Sequence, residues 1–160
     1  MRTQIERSGS CLQSGATINS IFNSLKYPSK ILIAWAEAIG GNPKLRDWLI
    51  ENGYKELGLF VFALNLKDDA RDWLMKNGFP HLMATINGAE GNPSAIKWLQ
   101  KHGYTPLAKV ALVGDGDESA FQWLKANGHP ELALVAKKIE SVKDQIERDN
   151  EDHHTINKNG

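Results

Sequence analysis

The chain has 160 residues, of which 41% are hydrophobic and 24% are charged, and 19 basic side chains balance 19 acidic ones. This length and composition predict one globular domain with a sizeable core. A net charge of zero creates no field that would recruit nucleic acid or an anionic membrane, so neither is expected as a partner. The single cysteine, Cys11, excludes an internal disulfide framework, and no apolar run approaches the ~20 residues that cross a bilayer.

The N-terminal residues precede the repeated part of the chain. Residues 1–15 are polar, lack the apolar segment of a secretory signal, and are expected to be flexible in a cytoplasmic protein. The stretch from Ile18 to Leu25 has the pattern of a degenerate helix that would seal the N-terminal end. A regular helix is predicted next, from Ser29 to Ala36.

The middle of the chain repeats every 25 residues. A Trp-Leu pair is followed four residues after its leucine by glycine, and then by a ring. The pairs begin at Trp48, Trp73, Trp98 and Trp123, the glycines are Gly53, Gly78, Gly103 and Gly128, and the rings belong to Tyr54, Phe79, Tyr104 and His129. Several features that keep one register predict a repeat protein in which each unit stacks on its neighbours.

Each unit is predicted to hold two short helices and no strand. The second helix opens at an N-cap, as at Asn42-Pro43 and Asn92-Pro93, and closes at Asn-Gly, where glycine takes the left-handed conformation. The ring after this glycine is expected to pack back onto the last helical turn. Lys67 departs from the capping pattern, and Asp68 is the candidate cap there.

After the last unit, apolar residues recur at spacings of three and four in a charged background. They predict a longer amphipathic helix from about Pro130 to Arg148, laid over the end of the stack as a cap. Residues 149–160 are expected to be a disordered polar tail. The fold predicted is all-α: a right-handed α-solenoid of about four 25-residue helix-turn-helix repeats with a longer C-terminal capping helix, in one domain over residues 16–148.

One unit carries the residues of a known repeat. These are Thr105-Pro106-Leu107, Val110-Ala111, Gly114, and Trp123-Leu124 before Gly128. They resemble the ankyrin repeat without its β-hairpin loop, and the turn from Gly114 to Asp117 is also similar to the all-helical leucine-rich variant repeats. Either resemblance implies a structural frame and not catalysis. The ankyrin resemblance implies binding of proteins through loops and a concave face.

The residues that could carry chemistry have simpler explanations. The four repeated tryptophans are predicted to be core, because apolar residues repeated at helical spacing usually are, whereas Trp35 lies outside the series and is the better surface candidate. His81, His102 and His129 occupy different repeat positions, which disfavours a metal site. Acidic clusters lie at helix starts or in the tail, where capping explains them. No catalytic residue, cofactor or metal is expected.

The sequence therefore favours a non-catalytic helical-repeat module that mediates protein–protein interaction or scaffolding. Repeated positions serve folding, so a partner is expected to contact the variable, exposed positions of the second helices. The candidate residues are Lys44, Asp47, Asp69, Asp72, Lys97, Lys101, Gln122 and Lys125. Two alternatives stay open: a small-ligand or catalytic pocket between repeats, and self-association into a homo-oligomer through an exposed end of the stack.

Overall fold

The computed structural model describes residues 26–158, with side chains as far as residue 153. The helices of this range are α1 (Ser29–Ile39), α2 (Pro43–Glu51), α3 (Lys55–Leu64), α4 (Asp68–Lys76), α5 (Pro80–Ala89), α6 (Pro93–Lys101), α7 (Thr105–Gly114), α8 (Glu118–Ala126) and α9 (Pro130–Lys158). No strand occurs in this range, which confirms the all-α helical-repeat prediction. The flexible segment over 1–15 and the helix predicted from Ile18 to Leu25 lie outside the described residues.

The helices fall into two classes. The odd-numbered helices, α1, α3, α5, α7 and α9, are the inner helices, and the even-numbered ones are the outer helices. Seven of the ten residues of α3 are buried, against two of the nine residues of α4. This difference follows from sequence, because α3 is apolar almost all round whereas α4 is charged on one face.

The outer helices begin and end as the repeat predicts. The Asn42 side chain accepts the Leu45 N–H at 3.2 Å, and Asn92 and Asp117 cap α6 and α8 in the same way. At the other end, the glycine after each helix has a φ of 80–91° and lies in the left-handed region. The next N–H then closes the cap; that of Tyr54 donates to the Leu49 carbonyl at 2.9 Å.

The turn between α3 and α4 breaks this pattern. Leu66 has a φ of 69°, where the equivalent residues of the other turns are glycine. Lys67 occupies the N-cap position and makes no side-chain capping hydrogen bond. The prediction that Asp68 caps this helix was wrong, because Asp68 is already its first residue, and the carboxylate of Asp69 accepts the N–H of Ala70 instead.

The prediction for Trp35 was wrong, and that for Trp48 was wrong too, whereas Trp73, Trp98 and Trp123 are half-buried and pack against the edge of the core. Trp35, predicted as the surface candidate, is fully buried on α1, where its ring lies 4.9 Å from that of Phe60, centroid to centroid. Trp48 is 44% exposed, and its three repeats are half-buried. Neighbouring residues of a helix point about 100° apart, so when one member of each Trp-Leu pair lies at the edge of the contact with the inner helices, the other occupies its centre. The leucine takes that place: Leu49, Leu74, Leu99 and Leu124 are buried.

The two ends of the repeat array meet. Helix α9 packs against α7 and also against α1, so the five inner helices form a closed series. Lys138 of α9 lies 3.6 Å from the Glu37 carboxylate of α1, and Ile139 is buried in the same core as Trp35. The predicted C-terminal helix is present; its first turns are the fifth inner helix, and they also contact α1 at the other end of the array.

Helix α9 is also longer than predicted. It has 29 residues and runs to Lys158, so the prediction of a disordered tail was wrong for residues 149–158. These residues contain neither proline nor glycine, and nothing in the sequence stops a helix there. Despite its length, α9 is too polar to cross a membrane, and none of the helices within residues 26–158 is both long enough and apolar enough to do so.

Candidate binding surface

A row of aromatic pairs lies along the outer helices. Each repeated tryptophan stacks on the ring that follows its own helix cap, with ring centroids about 6 Å apart. The pairs are Trp48 with Tyr54, Trp73 with Phe79, Trp98 with Tyr104, and Trp123 with His129. The capping ring thus holds each indole at a fixed angle while part of the indole stays open to solvent.

One of these tryptophans, Trp73, lines a groove between α3 and α4, here called the Trp73 groove. It encloses about 570 Å³. Its lining residues are Lys55, Leu59, Phe62, Lys67, Asp69, Ala70 and Trp73. The Lys55 ammonium lies 5.0 Å from the centroid of the Trp73 ring, within the range of a cation–π contact. The groove therefore combines an apolar floor with two cations and one carboxylate.

The next unit repeats the groove with different chemistry. The Trp98 groove, between α5 and α6, encloses about 310 Å³. It uses repeat positions that the Trp73 groove also uses, with Pro80, Ala84 and Ser94 in place of Lys55, Leu59 and Asp69. None of the side chains that line it is charged. The frame is therefore constant between units, while the polarity of the groove changes.

The last outer helix adds a third charge pattern. Lys109 holds its ammonium 5.3 Å from the Trp123 ring centroid, as Lys55 does at Trp73. Nearby, hydrogen bonds from the Ser119 hydroxyl and the Ala120 N–H hold the pKa of Asp117 below its ordinary value. This carboxylate is committed to capping α8 and is not a free acid for catalysis.

The histidines belong to the aromatic row. His81 stacks on Tyr104 with ring centroids 4.9 Å apart, and burial lowers the pKa of His81. Burial also lowers the pKa of His129, which stacks on Trp123. Over the described residues, no three His, Cys, Asp or Glu side chains come together as metal ligands. The rings therefore act as neutral packing groups near neutral pH.

The eight residues predicted from the sequence are all exposed on outer helices, but they do not form one site. Asp69 lines the Trp73 groove, whereas Lys97 lines a separate groove with Gln100 and Asp115, of about 290 Å³. The other six lie outside the described grooves: Lys44, Asp47, Asp72, Lys101, Gln122 and Lys125. Several of these bind their own helix, as Gln122 does by donating to Glu118 at 3.0 Å.

Lys55, Lys67 and Trp73 line the groove but were not predicted from the sequence as binding residues. Trp73 was excluded because its repetition was taken as evidence of burial. Lys67 did carry a signal, since it breaks the capping pattern of its own repeat. Lys55 carried none, because its position over the Trp73 ring depends on how two helices pack.

Two other places in the structure are candidates for a catalytic or small-ligand pocket. A groove of about 590 Å³ lies where the second half of α9 passes the ends of α1 and α3, with Val61, Phe62, Val142 and Ile146 among its lining. Away from the grooves, Glu56 is buried beside the Tyr27 phenol, whose pKa is raised by burial and then by that carboxylate. Neither place brings several buried polar side chains together around a cavity.

In comparisons with known proteins, no protein-family model, no curated protein and no solved structure matches this chain.

Proposed function

We propose that this chain is a non-catalytic helical-repeat module that binds another protein, and that it holds an extended peptide segment of that partner in the tryptophan grooves. The grooves recur with the 25-residue unit, so they offer successive, similar sites to a chain that runs across the repeats. Fixed aromatic rings supply contact area at little cost in conformational entropy.

One observation carries this proposal: the glycine and the N-cap side chain that shape the other turns between inner and outer helices are missing from the turn beside the Trp73 groove. Leu66 adopts a backbone conformation that the other turns give to glycine, and Lys67 replaces a capping side chain. Lys67 instead lines the groove. Departures from local optima concentrate at functional sites, because function and not stability selects the residue there.

The charges of the Trp73 groove define the peptide. Lys55 and Lys67 outnumber Asp69, and all three are exposed. A segment with an aromatic or aliphatic side chain next to an acidic residue would fit, since the apolar group would contact Trp73 and Leu59 while the carboxylate meets the two ammonium groups. The Trp98 groove, without charge, would take the neighbouring apolar side chain.

The other candidates fit less well. The half-exposed tryptophans would suit stacking by nucleic acid bases, but the net charge of zero opposes binding to phosphates. A small-ligand site is favoured by the groove volumes, yet the walls of the Trp73 groove are exposed lysines and an aspartate and do not enclose a ligand. Peptide binding accounts for both the exposed rings and the open walls.

The test is selection of peptides from a random library on the full chain, followed by NMR of the five tryptophan indole N–H groups. We expect enriched peptides to pair an acidic with an apolar residue and to shift the Trp73 and Trp98 signals. Trp35 is the internal control, because its buried indole should not move. Enrichment of no peptide, or peptides that shift neither groove tryptophan, would contradict the proposal.

Charge reversal sharpens the test at single residues. Lys67→Glu should weaken binding of an acidic peptide by roughly tenfold, as expected when one exposed attractive pair becomes repulsive. Lys76→Glu at the end of α4 is the matched control, because Lys76 is exposed, does not line the groove, and undergoes the same change of charge. Equal effects of the two changes would mean that the peptide responds only to the overall charge of the protein and that the groove is not its binding site.

A further inference from the structure

The Trp73 groove meets a second groove at the turn between α3 and α4. The second groove, here called the α9 groove, encloses about 590 Å³ where the second half of α9 passes the ends of α1 and α3. Phe62 and Lys67 line both grooves. The Arg46 guanidinium lies over the Phe62 ring, 4.5 Å from its centroid, and also lines the α9 groove. A ligand that fills one groove can therefore continue into the other past the same two side chains.

Lys67 is the cation at the junction of the two grooves. It is exposed, and its side chain makes no hydrogen bond or ion pair with any other residue between 26 and 153. The other charged groups of the α9 groove are already engaged: Arg46 pairs with Asp47 at 2.9 Å, and Asp149 accepts a hydrogen bond from Gln145 at 2.7 Å. An anion can therefore bind Lys67 without breaking an existing contact of that side chain.

The second half of α9 forms the far wall of the α9 groove. Helices α1, α3, α5 and α7 are each followed by a turn, whereas α9 continues to Lys158. No residue from 140 to 153 is buried. Val142 packs against the edge of the core, and Ile146, one turn later on the same face, lines the groove beside it. This part of α9 thus presents an apolar strip to the groove and adds no buried residue to the core.

Building on the proposed function, we propose that the α9 groove is the continuation of the peptide site, and that the partner segment carries its acidic residue between two apolar ones. The carboxylate would meet the unpaired ammonium of Lys67 at the junction. One apolar side chain would contact Trp73 and Leu59, and the other would contact Val142 and Ile146. All four of these protein side chains are partly exposed, so covering them removes apolar surface from water and adds to the affinity.

The position of Lys67 favours one peptide over separate ligands in the two grooves. Because Lys67 belongs to both grooves, two independent anionic ligands would compete for it, whereas one peptide uses it once. The turn that departs from the repeat at Leu66 and Lys67 is also the place where the grooves meet. The broken cap and the long α9 thus serve the same site.

The first experiment follows peptide binding to the full chain by NMR, with the peptide most enriched in the library selection as the probe. We expect that peptide to carry a second apolar residue on the other side of its acidic one. It should shift the Ile146 methyl signal, identified by its loss in Ile146→Leu, at the same concentrations as the Trp73 indole signal. Ile33, which is 45% exposed and lines none of the described grooves, is the control and should not move.

The other outcomes of this titration have separate meanings. A shift of Trp73 without one of Ile146 would overturn the continuation into the α9 groove and leave the proposed function intact. A shift of Ile146 without one of Trp73 would mean that the two grooves bind separately, and would also overturn it. Selection of no peptide, or shifts at neither residue, would remove the proposed function and its extension together.

Alanine substitutions in the protein and the peptide locate the contact. Ile146→Ala should weaken binding of the parent peptide by about fivefold, whereas Ile146→Leu, which keeps the apolar bulk, should bind like the unchanged chain. When the two apolar residues of the peptide are replaced by alanine in turn, one replacement should abolish the effect of Ile146→Ala and the other should leave it, because residues in contact are not additive.

The matched control for this cycle lies on the same helix. Leu134 is 36% exposed and lines none of the described grooves, so Leu134→Ala should leave binding unchanged. An equal effect of Ile146→Ala on both alanine peptides would mean that neither apolar residue contacts Ile146, and the α9 groove would not be part of the site.

Discussion

Apart from the long α9, the inner and outer helices are similar in length, with 10 or 11 residues against nine, but their sequences must satisfy different requirements. An inner helix such as α7 is surrounded by protein, and seven of its ten residues are buried, whereas the outer α8 buries two of nine. The inner class therefore tolerates little change, while the outer class needs only its caps and one apolar face. Function is free to vary on the outer class and in the grooves between the two.

The largest difference between inner and outer helices is expected when a tryptophan of each class is replaced by alanine. Trp35→Ala on α1 should lower the free energy of unfolding by about 3–5 kcal/mol, since a fully buried indole leaves a cavity. Trp48→Ala on α2, where the ring is 44% exposed, should cost no more than about 1 kcal/mol. Urea denaturation of both variants measures the difference, and comparable losses would show that the two classes are not distinct.

The repeat and its helix ends could be predicted from the sequence, but the difference in burial between inner and outer helices could not. The 25-residue period, the N-caps and the left-handed glycines follow from local chemistry, and each could be predicted. Which ring is buried is decided by packing between helices. Trp35 lies on an inner helix between Ala34 and Ala36, and Trp48 lies on the edge of an outer helix between Asp47 and Leu49.

The closed array could not be predicted either. The contact of α9 with α1 joins residues about a hundred positions apart, and no local pattern encodes it. The Trp73 groove depends in the same way on the placement of Lys55 over a ring of the next helix. Only the broken cap at Lys67 was visible in the sequence.

A second prediction concerns close packing of inner helices. A Cβ on Gly114 would lie 2.7 Å from the Ala89 Cβ and 3.0 Å from the Ile139 side chain. Gly114→Val should therefore destabilise the fold by about 1–3 kcal/mol through overpacking. Gly116→Asn, two residues later at a φ of 101° with open space around it, should cost less because asparagine tolerates positive φ. Thermal unfolding compares them, and a larger loss at Gly116 would refute the packing argument.

A third prediction has the opposite sign and concerns the outer class. Lys67→Asn would restore the missing N-cap of α4 and should stabilise the fold by about 0.5–1 kcal/mol. The same change removes a cation from the Trp73 groove and should weaken binding of an acidic peptide. Lys76→Asn, exposed at the end of α4, is the control and should leave binding unchanged. A Lys67→Asn variant that is more stable and binds equally well would remove the functional reason for the broken cap.

The smallest effect is expected from pH. The pKa values of His81 and His129 are lowered by burial, so the unfolded chain binds more protons than the folded one once the pH falls to about 6.5, their ordinary pKa. Stability should be constant above that value and decline as the pH is lowered through it. Urea midpoints from about pH 8 to about pH 5 test this. The variant with both His81→Phe and His129→Phe should lose part of the decline, and an unchanged slope would show that other groups cause it.

The contact between α1 and α9 has a consequence for how such an array can evolve. In an open stack, a unit can be duplicated or deleted at either end, because each unit touches only its neighbours. Here the first and last inner helices are also neighbours, through Glu37 and Lys138 and the core around Ile139. A sixth inner helix would have to separate them. Adding or deleting a unit would therefore break this contact, and we expect variation to fall on the residues within each unit.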